Sequence, residues 1–223
     1  MSLPRADSAD ICLLLEGTFP YVSGGVSSWV NQIIRGFPEY TFACCFVGSR
    51  PEDYGDMKYE LPDNVVHLEV HYLHNFQRGA QKRSLKGNRK AYADLRRFHE
   101  MVKDGIHSRE RSELFSRIVT HLGEGEDYSE ESFLHSRASW DYIAESYREF
   151  SRDPSFVDYF WTIRIMHSPI WVLNDIADNL LPAKMYHTIS TGYAGFLGAM
   201  LKRRTGKPLL LSEHGIYTKE RKI

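Results

Sequence analysis

The sequence has little of what marks several protein classes. Only three cysteines occur among its 223 residues, an odd number placed in apolar runs, and we interpret Cys12, Cys44 and Cys45 as reduced, buried hydrophobes. No run of about 18 apolar residues is present, and the N-terminus has no signal-peptide core. We therefore expect a cytoplasmic protein. The net charge of −1 gives no overall field for nucleic acid or an anionic membrane.

Several catalytic signatures are also missing. There is no GxGxxG after a strand and no GKS or GKT, which argues against a nicotinamide dehydrogenase and a P-loop ATPase. Without GxSxG, HExxH or CxxC, neither a serine hydrolase nor a metal enzyme is indicated. We expect no metal and no cofactor.

The most informative stretch that is present runs from Asp10 to Ile34. The apolar run 11–15 predicts a strand buried on both faces, as in a parallel sheet. After a loop, Gly24 and Gly25 open a helix whose apolar face has helical spacing. Its members are Val26, Trp29, Val30, Ile33, Ile34 and Phe37. Together with Ser23, these glycines favour an anion site at the positive end of the helix over a simple tight turn.

Further strands and one helix complete an α/β pattern. We predict strands at 41–47, at 65–72 near a sheet edge, at 185–190 and, buried, at 209–212, with a helix over 192–204. The last three elements form a βαβ unit. The predicted fold class is therefore α/β with a parallel sheet.

Between these parts lies a nearly unbroken helical block. Helices are predicted at 89–103 and 109–122 and after Ser129, which acts as an N-cap. A fourth is opened by Asp153 and Pro154 and continues through 156–181. Because apolar residues surround most of its circumference, we expect it to be buried, and Pro169 should kink or divide it. We interpret residues 85–182 as a helical insertion in a Rossmann-like core of about residues 8–75 and 184–223, not as a separate domain.

A basic stretch at 78–97 allows two interpretations. Nucleic-acid or anionic-lipid binding is one. A solvated loop leading into a helix is the other, and we favour it, because Tyr92 is the only aromatic residue in the stretch. No nucleic-acid partner is expected.

A second cluster of polar residues follows the last strand, at Glu213-His214-Gly215. Ligands of open α/β sheets bind beyond the carboxyl ends of the strands. His214 could hydrogen-bond a hydroxyl group or a developing charge there. His187 and the segment 191–193, ending in Tyr193, either line the same crevice or serve the structure.

Two motifs, EGTFPYVSGGVSSWVNQII and SEHGIYTKERK, together resemble the N-terminal domain of PelF-like, GT4-type retaining glycosyltransferases of Pel exopolysaccharide synthesis. The resemblance covers the whole chain. It implies a Rossmann-like domain of a GT-B fold, with the active site in a cleft between two such domains. It also implies transfer of a sugar from a UDP-sugar, with UDP-glucose the expected donor, to a growing polysaccharide, without a bound metal.

The resemblance also suggests roles for particular residues. Ser23, Gly24 and Gly25 would face the donor diphosphate, and His214 would act as the catalytic residue at the transferred sugar. Further residues are expected to line the cleft: Glu16, Tyr21, Tyr193, Glu213 and Tyr217. Related glycogen synthases have a lysine two positions before the glycine pair. Val22 stands there in this sequence, so no cationic phosphate contact is assigned.

One family feature is not found. Family members carry a second domain with a Glu-x7-Glu motif, and here only Glu52 and Glu60 have that spacing, in a turn-rich loop. We therefore expect the chain to be one domain of a longer enzyme and inactive when isolated, because it lacks part of the transition-state stabilisation. The alternative is a non-catalytic interaction module that docks membrane-bound partners of a polysaccharide secretion complex, which would place the protein peripherally at the inner membrane.

Overall fold

The computed structural model describes residues 4–74, 84–152 and 154–214. The chain forms two compact units, Met1–Asn75 with Ile176–Ile223, and Phe76–Asp175. We call the first the sheet unit and the second the helical unit. The interpretation of the helices as an insertion within one domain stays a prediction.

The sheet unit is built on five parallel strands in the order β3-β2-β1-β4-β5. Their bounds are β1 Ala9–Glu16, β2 Phe42–Gly48, β3 Val65–Tyr72, β4 Ala183–Thr188 and β5 Leu209–Leu211. This confirms the predicted α/β class with a parallel sheet. It also confirms the edge position of β3.

The opposite edge of the sheet differs from the prediction. β5 pairs with β4 alone among the described strands, and its Leu210 and Leu211 are 47% and 44% exposed. The prediction that this strand is buried is wrong. An edge strand is covered by the sheet on one side only, and a run of leucines does not reveal which strand lies at the edge.

The core of the sheet unit lies around β1 and β2. Every residue of β2 is buried, and α1, Gly25–Gly36, packs Val30 and Ile34 against it. The three cysteines are free and buried, as predicted. Burial raises the pKa of the Cys44 thiol to about 12, so the thiol stays protonated and unreactive. A second α-helix of this unit is α7, Tyr193–Thr205.

The helical unit contains α2 Arg89–Lys103, α3 Arg109–Thr120, α4 Glu130–His135, α5 Arg137–Phe150 and α6 Phe156–Asn179, the last up to Asp175. Ser129 caps α4 as predicted, through its oxygen and the Ser132 N–H. The single helix predicted after Ser129 is two helices. The Ser136 oxygen accepts the Ser139 N–H and starts α5, so a serine that looks tolerable within a helix ends one and begins another.

The basic stretch falls partly outside the described residues, which leave out 75–83. Within α2, the arginines of this stretch form ion pairs with acidic side chains. Arg89 pairs with Asp141, Arg97 pairs with Glu110, and Arg96 contacts Glu100, Glu145 and Glu149. These ion pairs agree with a solvated, charge-paired helix face.

Helix α6 is continuous through Pro169, so the proline does not divide it. At its start the Ser155 hydroxyl accepts the Asp158 N–H, and the expected cap Asp153 lies outside the described residues. The predicted burial is wrong for the first half of this helix. Four side chains there form an exposed apolar stripe: Val157, Trp161, Ile165 and Met166, each more than half exposed. In the part of the chain that is described, no helix is long and apolar enough to cross a membrane.

Candidate active site at the carboxyl edge of the sheet

Polar side chains gather where the parallel strands of the sheet unit end. Parallel strands place all of their carboxyl ends at one edge, and the helices that follow them begin there. Glu16 is the last residue of β1, and Ser212, Glu213 and His214 directly follow β5. The N-termini of α1 and α7 lie at the same edge.

The carboxylate of Glu16 occupies the N-terminus of α7. Its Oε2 accepts the Ala194 N–H at 3.0 Å and the Ser190 hydroxyl at 3.2 Å. A Cβ added to Gly192 would lie 2.5 Å from the same oxygen, so this close approach needs glycine. The negative charge offsets the positive end of α7. Burial, and secondly the Glu16 charge, raises the pKa of the neighbouring Tyr193.

The N-terminus of α1 is open by contrast. Its N-cap residue Gly24 offers no side-chain cap, and its first turn has no acidic residue. Within the described part of the chain, a Cβ built on Gly24 or Gly25 would meet no atom within 4 Å, and Ser23 is exposed. Among these residues, the positive end of the helix therefore faces space that an anion can enter.

Tyr59 contacts the start of α1 and the glycine before it. Its hydroxyl lies 3.1 Å from the Ser28 Oγ and accepts the Gly24 N–H at 3.5 Å. Its ring packs on Phe19, with centroids 5.4 Å apart. Sequence reasoning missed this residue because Tyr59 sits in a turn-rich loop far from the glycines along the chain.

His214 rests on Trp29 of α1. The two rings meet edge to face, with centroids 4.4 Å apart and planes at 71°. Trp29 also contacts His187 in the same manner, at 5.9 Å. The helical spacing predicted Trp29 only as a core residue, so its position between two histidines is a finding of the structure.

His187, near the end of β4, is the buried member of this ring cluster. It is 6% exposed, and its Nε2 lies 2.9 Å from the Ser212 Oγ. Burial, and secondly the charge of His214, lowers the pKa of His187. It is therefore neutral at neutral pH and can accept or donate one hydrogen bond.

Glu213 ties the end of β5 to the loop before α7. Its Oε2 accepts the Thr191 N–H at 2.9 Å, and its Oε1 accepts the His214 N–H at 3.1 Å. These bonds fix the backbone at Thr191, before α7, and at His214, directly after Glu213. Glu213 thus orients the segment that carries His214.

Comparison with known protein families places the chain in one family. A model of a domain of unknown function, DUF3492, matches residues 9–223. The chain belongs to the DUF3492 family. Neither the curated proteins nor the solved structures give a match.

The DUF3492 domain thus brings together most of the residues that the sequence singled out. His187, Glu213 and His214 lie near one another, Glu16 lies beside Tyr193, and Trp29 connects α1 to His214. Tyr21 packs against Phe46 at 4.8 Å, and burial raises its pKa. Gly215 and Tyr217 lie outside the described residues.

Metal ligands do not gather in the described part of the DUF3492 domain, where no three histidine, cysteine or acidic side chains are placed to hold an ion. The polar groups at the carboxyl edge are instead an imidazole pair, a helix N-terminus and carboxylates that are already hydrogen-bonded. Such a set can bind an anion next to a hydroxyl-rich ligand.

Proposed function

We propose that this DUF3492 domain forms one wall of the sugar-nucleotide cleft of a GT-B glycosyltransferase. The enzyme would transfer a sugar from a UDP-sugar, with UDP-glucose the expected donor, to a growing exopolysaccharide, as in the PelF-like enzymes that the sequence resembles. The observation that carries the proposal is the open N-terminus of α1 next to the Trp29–His214 contact. Family membership is consistent with a glycosyltransferase-associated domain.

The diphosphate would bind at the α1 N-terminus. Of the two helices that begin at this edge, α7 is already occupied by the Glu16 carboxylate, and α1 is uncapped. Backbone N–H groups and the helix dipole can then hold phosphate oxygens without a lysine. This supports binding despite Val22 at the position where related enzymes have a cation.

The transferred sugar would lie at His214. Its ring is exposed but held by Trp29, so it can reach a ligand from a fixed position. An imidazole there can donate a hydrogen bond to a sugar hydroxyl and stabilise charge that develops as the glycosidic bond to the diphosphate breaks. The neutral His187 behind it adds no competing positive charge.

We expect sugar transfer to require a second domain in addition to this one. In GT-B enzymes a second domain contributes further contacts to the nucleotide and the leaving diphosphate. We expect the isolated 223-residue chain to bind the donor without transferring sugar, and the enzyme that contains both domains to be active.

Calorimetric titration with UDP and with UDP-glucose tests the proposal. His214→Ala should weaken UDP-glucose binding about tenfold and change UDP binding little, because the histidine contacts the sugar; tenfold corresponds to about 1.4 kcal/mol, within the range of a charge-assisted hydrogen bond. His107→Ala, at an exposed histidine of the helical unit, is the matched control. Equal affinity of His214→Ala and the unchanged protein for UDP-glucose would contradict the site assignment.

A second function, partner docking, is favoured by the exposed apolar stripe on α6. Its four side chains, Val157, Trp161, Ile165 and Met166, fit an apolar surface on another protein. If they dock membrane-bound secretion partners, Trp161→Ser should lower the fraction of the protein that sediments with membranes of the producing cell. Donor binding should stay unchanged. Thr162→Ala, next to the stripe on the same helix, serves as the control.

A further inference from the structure

The helical unit contains a cavity of about 440 Å³, within the size range of small-molecule sites. Side chains of α4, α5 and α6 form its walls. One part of the wall is aromatic, from Phe133, Trp140 and Phe160. Another part is cationic, from Arg137 and Arg164. The described lining includes no aspartate or glutamate. Since Arg137 pairs with Asp141 outside the lining, Arg164 is the cation of this wall without an acidic partner among the described residues.

Arg164 is the most unusual group in this wall. Its guanidinium donates to the Leu134 carbonyl and lies over the Phe160 ring, 4.5 Å from the centroid. Its Nε is buried and has no hydrogen-bond partner. No carboxylate among the described residues pairs with it, and burial lowers its pKa.

An unpaired, partly buried cation is unfavourable without a counter-ion. Removing a charge from water costs several kcal/mol unless an opposite charge and hydrogen bonds compensate. Arg137, at the same cavity, is largely exposed and also has an acidic partner, Asp141 at 2.8 Å. Among the described residues, Arg164 contacts one carbonyl and two aromatic rings, those of Phe160 and Trp161, but no carboxylate. Its charge therefore stays available to a ligand.

The aromatic part of the cavity wall indicates that the ligand contains a ring. Trp140 is 45% exposed, and its ring lies 5.5 Å from that of Phe160. Flat apolar surfaces of this kind pack against a planar or sugar ring. The cavity therefore suits a ligand in which a ring and an anionic group lie close together.

We propose that this cavity binds a small organic oxyanion, a single ring that carries one carboxylate or phosphate group. The oxyanion pairs with Arg164 and the ring packs against Trp140 and Phe160. The site lies wholly within the helical unit and does not depend on the glycosyltransferase proposal.

Titration with glucose 6-phosphate, glucuronate and glucose tests this site, with calorimetry as the readout. At least one of the two anions should bind in the millimolar range or tighter, and which of them binds identifies phosphate or carboxylate as the preferred group. Arg164→Gln should weaken that binding at least tenfold, because the amide keeps a donor for Leu134 but removes the charge. Arg109→Gln, at an exposed arginine of α3 paired with Glu113, should bind as the unchanged protein does.

The unfolding temperature of Arg164→Gln and the binding affinity of Trp140→Ala test the proposal further. Arg164→Gln should unfold at the same temperature or a higher one, because it removes an uncompensated charge. If it does not fold, Trp140→Ala at the exposed wall takes its place and should also weaken binding. The proposal is overturned if neither anion binds, if glucose binds equally well, or if a folded cavity variant binds with unchanged affinity.

Discussion

The helical unit should lose stability in mild acid because it buries a neutral histidine. His99 on α2 places its Nδ1 2.7 Å from the Tyr142 hydroxyl, and its ring lies 5.8 Å from that of His167 on α6. Burial, and secondly the charge of His167, lowers the pKa of His99 from 6.5 to about 4. Burial also lowers the pKa of His167, so both histidines favour the neutral form in the folded state.

The direction in which the unfolding free energy changes with pH follows from proton binding to the folded and unfolded chain. The unfolded chain takes up a proton at His99 as the pH falls through 6.5, and the folded chain does so only near 4. The stabilisation is therefore complete above pH 6.5 and is lost as the pH falls toward 4. Integrating this difference from about pH 7.5 to about pH 5 gives a loss of about 2 kcal/mol for His99 alone.

Urea unfolding followed by tryptophan fluorescence measures this loss, since Trp140, Trp161 and Trp171 all belong to the helical unit. His99→Gln can keep a hydrogen bond to Tyr142 but cannot titrate, so its stability should fall about 2 kcal/mol less between the two pH values. His107→Gln, at an exposed histidine, should retain the full pH response. The reasoning is refuted if His99→Gln loses as much stability as the unchanged protein.

Three further changes test the carboxyl edge of the sheet. Gly192→Ala should destabilise the sheet unit by about 1 kcal/mol in urea unfolding, because its Cβ displaces the Glu16 carboxylate from the α7 N-terminus. Gly24→Ala, with free space around the Cβ among the described residues, should change stability by at most about 0.5 kcal/mol. Glu16→Gln should cost about 1 kcal/mol in the same assay, since the α7 N-terminus loses its negative charge, and an unchanged midpoint would count against this capping role. Trp29→Leu should weaken UDP-glucose binding about tenfold with little effect on UDP, because His214 loses its support; equal losses for both ligands would contradict that role.

Local sequence patterns predicted most of the elements but not their exposure. The continuous apolar runs 11–15 and 41–47 indicated buried strands, since only a central parallel strand needs apolar residues on both faces. β5 has an equally apolar run, yet it lies at the edge, and α6 exposes Trp161 and Ile165. Which neighbour covers an apolar residue depends on tertiary packing, which local periodicity does not contain.

For the candidate site, too, the sequence predicted some residues and missed others. Ser23, Gly24, Gly25 and His214 stood out because their types and positions at strand ends suggest chemistry. Trp29 and Tyr59 did not, because each acts through contacts with residues distant along the chain. Glu16 and Glu213 were predicted to line the cleft, which stays a prediction; the structure shows that both accept backbone N–H groups at the carboxyl edge of the sheet.

The most direct test of the account places a carboxylate at the open N-terminus of α1. Gly25→Asp fits without a clash and should stabilise the helix by about 0.3 to 1 kcal/mol through its dipole, while it occupies and repels the diphosphate position. UDP titration of Gly25→Asp should show binding lost, with Gly25→Asn, the neutral counterpart of equal size, retaining much more of it. Undiminished UDP binding by Gly25→Asp would contradict the claim that this helix end holds the donor.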